Sequence, residues 1–310
     1  MATIDVKAIK ELRERTQAGM TDCKNALVEA EGDMDQAVEI ILKKGLAKSA
    51  KRAGAIAAEG EVRAAVADGG RSAALVEVNI QTDFAARNEK FQAFVAKITD
   101  LALTMPPDGD INGQQIDGQS VADAAVELGA KLGEKVAVRR AAQVALAEGQ
   151  EGFCHCYIHM GGKIAVVVVV ATDGAATAEH PAARKFADDT AMHVAAMNPL
   201  ALKREDVDPA EVAKQKEIFE AQLRDDPKPK PEKVWPKIIE GKIQKWFSEV
   251  ALLEQESVVV PKSKIDDLRK AAATEAGGTL EIVRFARFER GEGIAAEKKD
   301  LAADVEQMLT

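Results

Sequence analysis

The sequence predicts an α+β protein: an N-terminal three-helix module, a core of two similar α/β sandwich subdomains, and a helical hairpin inserted into the second. Three observations predict it. Apolar residues at helical spacing, punctuated by glycines, open the chain. A strand–turn–strand–helix pattern then occurs twice. Near position 225 a proline-rich turn separates two strongly charged helical stretches.

In the first module Val6, Ile9 and Leu12 recur at helical spacing, and the pattern breaks near Gly19. Thr21 caps a second helix carrying Cys23, Ala26 and Leu27, which stops at Gly32. Asp33 and Gln36 read as a capping box for a third, bearing Ala37, Val38 and Ile41 and expected to end at Gly45. Lys43, Lys44, Lys48, Lys51 and Arg52 read as a solvated basic helix end.

Alternation of Val62, Ala64 and Val66, a turn at Asp68-Gly69-Gly70, and alternation of Ala74, Val76, Val78 and Ile80 predict a β-hairpin. A helix over 86–103 presents Phe91, Phe94, Val95 and Ile98 on one face. A polar loop runs to Gln119; a helix over 121–132 and a strand over 136–147 follow. The second copy has strands over 153–159 and 163–171, then a helix ending at Met197 before Asn198-Pro199. A single mixed sheet with helices on one face is the alternative, and the pattern leaves both open. Asp208-Pro209 starts the first helix of the hairpin, and the second carries Trp235, Ile239, Ile243, Trp246 and Phe247. Val258-Val259-Val260-Pro261 reads as a short strand, followed by a helix over 264–275, a strand over 280–288 and a terminal helix near 297–308.

Composition removes several function classes. With 42 Lys+Arg against 51 Asp+Glu, the net charge of -9 opposes binding to phosphate backbones. Aromatic residues make up 4%, too few for a base-stacking platform. The longest apolar run, 164–171, has eight residues, where a membrane helix needs about 20. A soluble, cytoplasmic protein without nucleic-acid or membrane partners is expected.

Chemistry-bearing motifs are scarce. Gly161-Gly162-Lys163 is followed by Ile164, not by the hydroxyl residue of a phosphate-binding loop. There is no nucleophile elbow and no dinucleotide fingerprint. Cys154-His155-Cys156 with His159 resembles a metal cluster, but in a strand the two thiols point to one face and His155 to the other. Packed thiols are therefore the expectation, with no metal and no cofactor; a metal-dependent enzyme on that strand is an alternative. A non-exchanging adaptor or scaffold using the helical hairpin is another.

Four stretches resemble the translation elongation factor Ts family. They are ELRERTQAGMTDCK (11–24), NIQTDF (79–84), HVAAMNP (193–199) and RFARFERGEG (284–293), in the family's order and over essentially the whole chain. The resemblance is to the long form with a coiled-coil insert. It implies a non-enzymatic guanine-nucleotide exchange factor that binds elongation factor Tu, GDP-bound or nucleotide-free, and promotes GDP release. It also implies that the first module is similar to ubiquitin-associated domains and that the hairpin is an antiparallel coiled coil, a route to a homodimer. Boundaries on this reading are 1–55 for the docking module, 56–147 and 148–207 for the core, 208–247 for the insert, 248–293 for the returning core and 294–310 for a terminal helix.

The resemblance also assigns residues. Thr82, Asp83, Phe84 and Ala85 match the exchange loop, whose Asp-Phe pair disturbs the partner's magnesium and phosphate site. Ala85 stands where the family commonly has valine. Lys24, His159, Val258 and Val259 match further partner-contact positions.

Overall fold

The structure, a computed structural model, describes residues 5–16, 18, 20–51, 54–106, 109–226 and 230–294. The expected terminal helix near 297–308, the break at Gly19 and the proline-rich turn at 227–229 lie outside these.

Helices α1 (Val6–Thr16), α2 (Met20–Glu29) and α3 (Met34–Lys51) close around Leu12, Cys23, Ala26, Leu27 and Ala37, all fully buried. The Asp33 carboxylate caps α3 by accepting the Gln36 N–H at 2.9 Å, but its own N–H goes to the Ala30 carbonyl. Only half of the expected box is present. Nor does α3 end at Gly45: it runs on to Lys51. A Cβ at position 45 would lie 3.0 Å from the Cβ of Ala130, so this glycine lets α3 approach a core helix instead of stopping it. Lys43 and Lys44 pair with Glu39 and Glu29, as a solvated face should.

The core is two antiparallel three-stranded sheets, not one mixed sheet. Strands β1 (Glu59–Val66) and β2 (Ser72–Ile80) form a hairpin. The chain then makes the short α4 (Asp83–Ala86), α5 (Glu89–Thr104), a minor hairpin of β3 (Gln115–Ile116) and β4 (Gln119–Ser120), and α6 (Val121–Leu132). It returns as β5 (Val136–Ala145) beside β2. The single helix expected from position 86 is two, because Asn88 interrupts it and caps α5 through the Lys90 N–H at 2.9 Å.

The second sheet repeats the plan. β6 (Gly152–His159) and β7 (Ile164–Thr172) form a hairpin, followed by α7 (Ala175–Glu179), α8 (Pro181–Met197), α9 (Pro209–Arg224), α10 (Trp235–Val250) and α11 (Ile265–Ala276). β8 (Leu280–Glu289) then pairs with β7. The two middle strands carry matching register shifts, at Glu77/Val78 and Val169/Val170. Beside each shift the first strand has a glycine with positive φ, Gly60 opposite Asn79 and Gly152 opposite Ala171. A Cβ on Gly60 or Gly152 would fall 2.1 Å from the carbonyl oxygen of Val78 or Val170. Only glycine fits either place.

The sheets stack face to face. Val62, Leu75 and Val144 of one meet Cys154, Val167 and Val169 of the other. On the outer faces Phe91, Phe94 and Ile98 of α5 cover the first sheet, and Phe186 and Val194 of α8 with Ile265 of α11 cover the second. β7 is thus covered on both sides, which is why it reads as the unbroken run Val166–Val170, every residue fully buried.

One expectation changes in the second half. Residues 258–260 are not a strand but a bend between the isolated bridge partners Glu256 and Lys264. The Ser257 hydroxyl accepts the N–H groups of both Val259 and Val260 at 3.1 Å, taking the donors that a sheet would need, and Pro261 has none to offer. α9 and α10 pack on each other through Leu223 and Ile243, with Lys242 over the Phe219 ring.

Candidate functional site

β2 delivers the chain into α4 at one end of the first sheet. Thr82 caps this helix, its hydroxyl oxygen accepting the Ala85 N–H at 3.2 Å. Thr82 is itself gripped: its N–H donates to Glu134 Oε2 at 2.9 Å and its hydroxyl to Glu134 Oε1 at 2.7 Å. The adjacent Lys135 N–H donates to the Gln81 side-chain carbonyl at 2.8 Å. Asp83 sits in the first turn and pairs at 3.4 Å with Arg87, both exposed. Ala86 is buried, and Ala85 packs against the α5–α6 core. A small residue at 85 thus rests on its own protein, beside a ring that does not.

Phe84 is 85% exposed, the largest value among the exposed large apolar side chains of the described residues. Leaving a phenylalanine in water forgoes about 1.5–3 kcal/mol of burial free energy, so the local structure has to hold it there. At the other end of α4, Gln92 Nε2 donates to the Ala86 carbonyl at 2.8 Å and to Glu61 Oε2 at 2.5 Å. Arg63 closes this group, donating to Glu61 at 2.7 Å and to Gln92 at 2.9 Å.

The same network reaches the β6–β7 turn. Val62 donates to the Gly162 carbonyl at 2.9 Å, and a Cβ on Gly162 would strike the Glu61 side chain. That turn carries Met160, 70% exposed, and follows His159, whose Nδ1 lies 2.9 Å from the Tyr157 hydroxyl. Phe84 and Met160, the two most exposed large apolar side chains among the described residues, therefore each lie two residues from a carbonyl, of Ala86 and of Gly162, held by the Glu61–Val62 segment and its partner Gln92.

Val258 and Val259 lie elsewhere in the fold, on the bend after α10. Val258 is half exposed and its N–H donates to His193 Nδ1 at 3.2 Å. With Nδ1 accepting, the other ring nitrogen carries the proton toward Gln255 Oε1 at 2.9 Å, and Gln255 Nε2 holds the Glu249 carbonyl at 2.8 Å. Burial pushes the His193 pKa down, partly offset by Gln255, so the ring stays neutral. Lys24 is exposed on α2, backed by the buried Cys23, Ala26 and Leu27. The sequence reading missed Glu134, Gln92 and Gln255, and met His193 only as part of a motif.

The thiols follow the alternation. Cys154 and Cys156 pack toward the inter-sheet core, where burial pushes their pKa values to about 11 and about 12. His155 faces the other way and meets Asp188 of α8 at 3.0 Å. Among the described residues no group of three or more His, Cys, Asp or Glu could hold a metal ion, and no helix is long and apolar enough to cross a membrane.

A family model described as "Elongation factor TS" matches residues 81–292. Proteins described as "Elongation factor Ts" align over nearly their whole length. The one from Clostridium botulinum (strain Eklund 17B / Type B) is 41% identical over 99% of both chains. Those from Clostridium perfringens (strain SM101 / Type A) and Rhodospirillum centenum are each 40% identical, over 98% and 99% of this chain and 99% of their own. The α+β fold and these likenesses place the protein among the translation elongation factors. Within that class the chain belongs to the elongation factor Ts family.

Proposed function

We propose that this chain is a guanine-nucleotide exchange factor acting on elongation factor Tu in its GDP-bound and nucleotide-free forms. The observation that carries the reading is Phe84, exposed on a four-residue helix whose two ends are tied down. Such a ring is of use only when a partner buries it.

In phosphate-binding-loop GTPases, magnesium and the loop amides supply much of the grip on the nucleotide. Phe84 enters a gap in the partner beside that site and stabilises the displaced arrangement by about 1.5–3 kcal/mol of ring burial. Asp83 adds charge and hydrogen bonds to the displaced elements. GDP leaves and GTP loads. Coupling is reciprocal, so GDP loosens this complex by the factor by which the complex loosens GDP. Each tenfold needs about 1.4 kcal/mol of differential binding, more than one ring supplies for a large effect. The remaining contacts come from the three-helix module as a docking unit similar to ubiquitin-associated domains, with Lys24 facing the partner, and from His159, Val258 and Val259. The α9–α10 hairpin is read as the coiled-coil insert, contacting the partner or pairing two copies. The chain makes and breaks no covalent bond, needs no cofactor, and acts in the cytoplasm.

Release of fluorescent GDP from elongation factor Tu tests the reading. The chain is expected to accelerate release in proportion to its concentration until saturation. Binding without any change in the off-rate would make it an adaptor instead.

A further inference from the structure

A four-residue helix is far too short to be stable alone, so the direction in which Phe84 points is set by what holds α4. The tie at its C-terminal end, from Gln92, comes from the neighbouring helix α5. The tie at its N-terminal end comes from far along the chain, and one carboxylate supplies it. Both oxygens of Glu134 are used on a single residue, Oε2 by the Thr82 N–H and Oε1 by the Thr82 hydroxyl. The hydroxyl oxygen passes the constraint on to the Ala85 N–H at 3.2 Å, and the Thr82 carbonyl accepts the Ala86 N–H at 3.2 Å. Those two amides immediately follow Phe84.

Glu134 is anchored in turn. Its N–H donates to the Gly129 carbonyl at the end of α6 at 3.1 Å, and the next residue, Lys135, is tied back to Gln81. Two segments 52 residues apart are thus stitched by three hydrogen bonds, two of them to a charged acceptor. A carboxylate accepts from both groups at once, and with charge. A glutamine keeps the Thr82 N–H through its carbonyl oxygen but meets the hydroxyl with an N–H donor, which the Thr82 oxygen takes only when its own proton turns away, so charge-assisted bonds become neutral ones.

We infer that Glu134 is a positioning residue for nucleotide exchange: it fixes α4 so that Asp83 and Phe84 are aimed before the partner arrives. The inference rests on the exchange reading above. It requires no contact between Glu134 and the partner or nucleotide. Ordering the loop in advance removes that cost from the encounter, so loss of Glu134 lowers the exchange rate at saturation more than it weakens docking, which the rest of the surface supplies.

The test uses the full chain with Glu134→Gln, Phe84→Ala, both together, and Thr82→Ser as the conservative variant. In the free protein, amide hydrogen exchange at Ala85 and Ala86 is expected to speed up about tenfold in Glu134→Gln, as two charge-assisted hydrogen bonds become neutral ones, while β2 and α5 keep their protection. Thr82→Ser retains both the N–H and the hydroxyl and should keep the parent amide exchange rates at Ala85 and Ala86. With elongation factor Tu carrying fluorescent GDP, Glu134→Gln is expected to lower the saturating release rate about tenfold, with the half-saturating concentration within about twofold of the parent. On top of Phe84→Ala it should add less than about twofold, because the aimed ring is already gone. Unchanged amide exchange at 85 and 86 would overturn the inference. So would a Glu134→Gln effect that multiplies fully onto Phe84→Ala, as a general loosening of the fold would give. If Phe84→Ala leaves release untouched, the exchange reading itself fails, and the amide measurement still decides whether Glu134 holds the loop.

Discussion

The carboxylate of Glu77, in the middle of β2, accepts the backbone N–H of Gly291 at 2.8 Å, joining the first sheet to the turn after β8. Arg139 and Arg140 donate to the same carboxylate at 3.0 and 2.6 Å, and Arg140 continues to Glu292 at 3.0 Å. The Glu77 side chain is fully buried. Burial alone would raise its pKa, but the Gly291 N–H, Arg140, Arg139 and Asn79 together outweigh this and hold it below the ordinary carboxylate range. At the same place relative to the bulge, the second sheet has Val169. A buried charge in the first sheet, with no counterpart in the second, thus helps latch the two halves, beside the Arg290–Glu59 pair at 2.9 Å.

Replacing Glu77 with alanine leaves two guanidinium groups facing a buried gap, and removing one partner of such a group typically costs about 3–5 kcal/mol. Urea unfolding of Glu77→Ala should show a loss of that order. A change under about 1 kcal/mol would mean that the arginines find water instead.

The same group sets an acid limb. A carboxylate whose folded pKa lies below its unfolded value contributes stability that is complete above the unfolded value, about 4.3, and is lost as pH falls through the folded one. Glu77 and Glu254 both fall in this class, Glu254 chiefly through its hydrogen bond with Arg204. Unfolding midpoints measured from pH 7 to 3 should therefore decline below about 5 in the parent, and decline less steeply in Glu77→Gln.

His193 gives a second pH window. Burial depresses its folded pKa, so its contribution is full above the unfolded value near 6.5 and fades as pH falls below it. Protonation takes away the Nδ1 lone pair that receives the Val258 N–H. Between pH 7.5 and 5.5 the Val258 amide should lose protection against hydrogen exchange, relative to β7 amides at the same pH. Equal behaviour of the two sets would show that His193 does not hold the bend.

The internal repeat makes a paired prediction. Gly60→Ala and Gly152→Ala each place a methyl group against a backbone carbonyl at a left-handed position, and each should destabilise by roughly 3 kcal/mol or more. Thermal unfolding of the two variants checks whether the sites are as equivalent as their geometry.

Much of the fold was legible because its signals are local. Alternation over 62–66 and 74–80, the valine run of β7 and the capping residues Asp208 and Asn198 mark their elements without help from elsewhere. Where the reading failed, a contact distant in sequence overrode the local cue: Ala130 against Gly45, and His193 behind the bend at Val258. The β3–β4 hairpin escaped because two-residue strands in a polar stretch leave no periodicity. At the site, Asp83 and Phe84 were found through a motif. Glu134 and Gln92 carried no signal, since a glutamate after a helix and a glutamine within one are ordinary; only the folded chain brings them to Thr82 and Ala86.

The central claim is that Phe84 is a prong for a partner and not a stranded core residue. Stopped-flow release of fluorescent GDP from elongation factor Tu, comparing the parent chain with Phe84→Ala at saturating concentration, tests it most directly. The account predicts release slowed at least about tenfold, the equivalent of about 1.4 kcal/mol of lost differential binding, in a variant whose unfolding midpoint matches the parent. Parent-like release from a folded Phe84→Ala protein would contradict it.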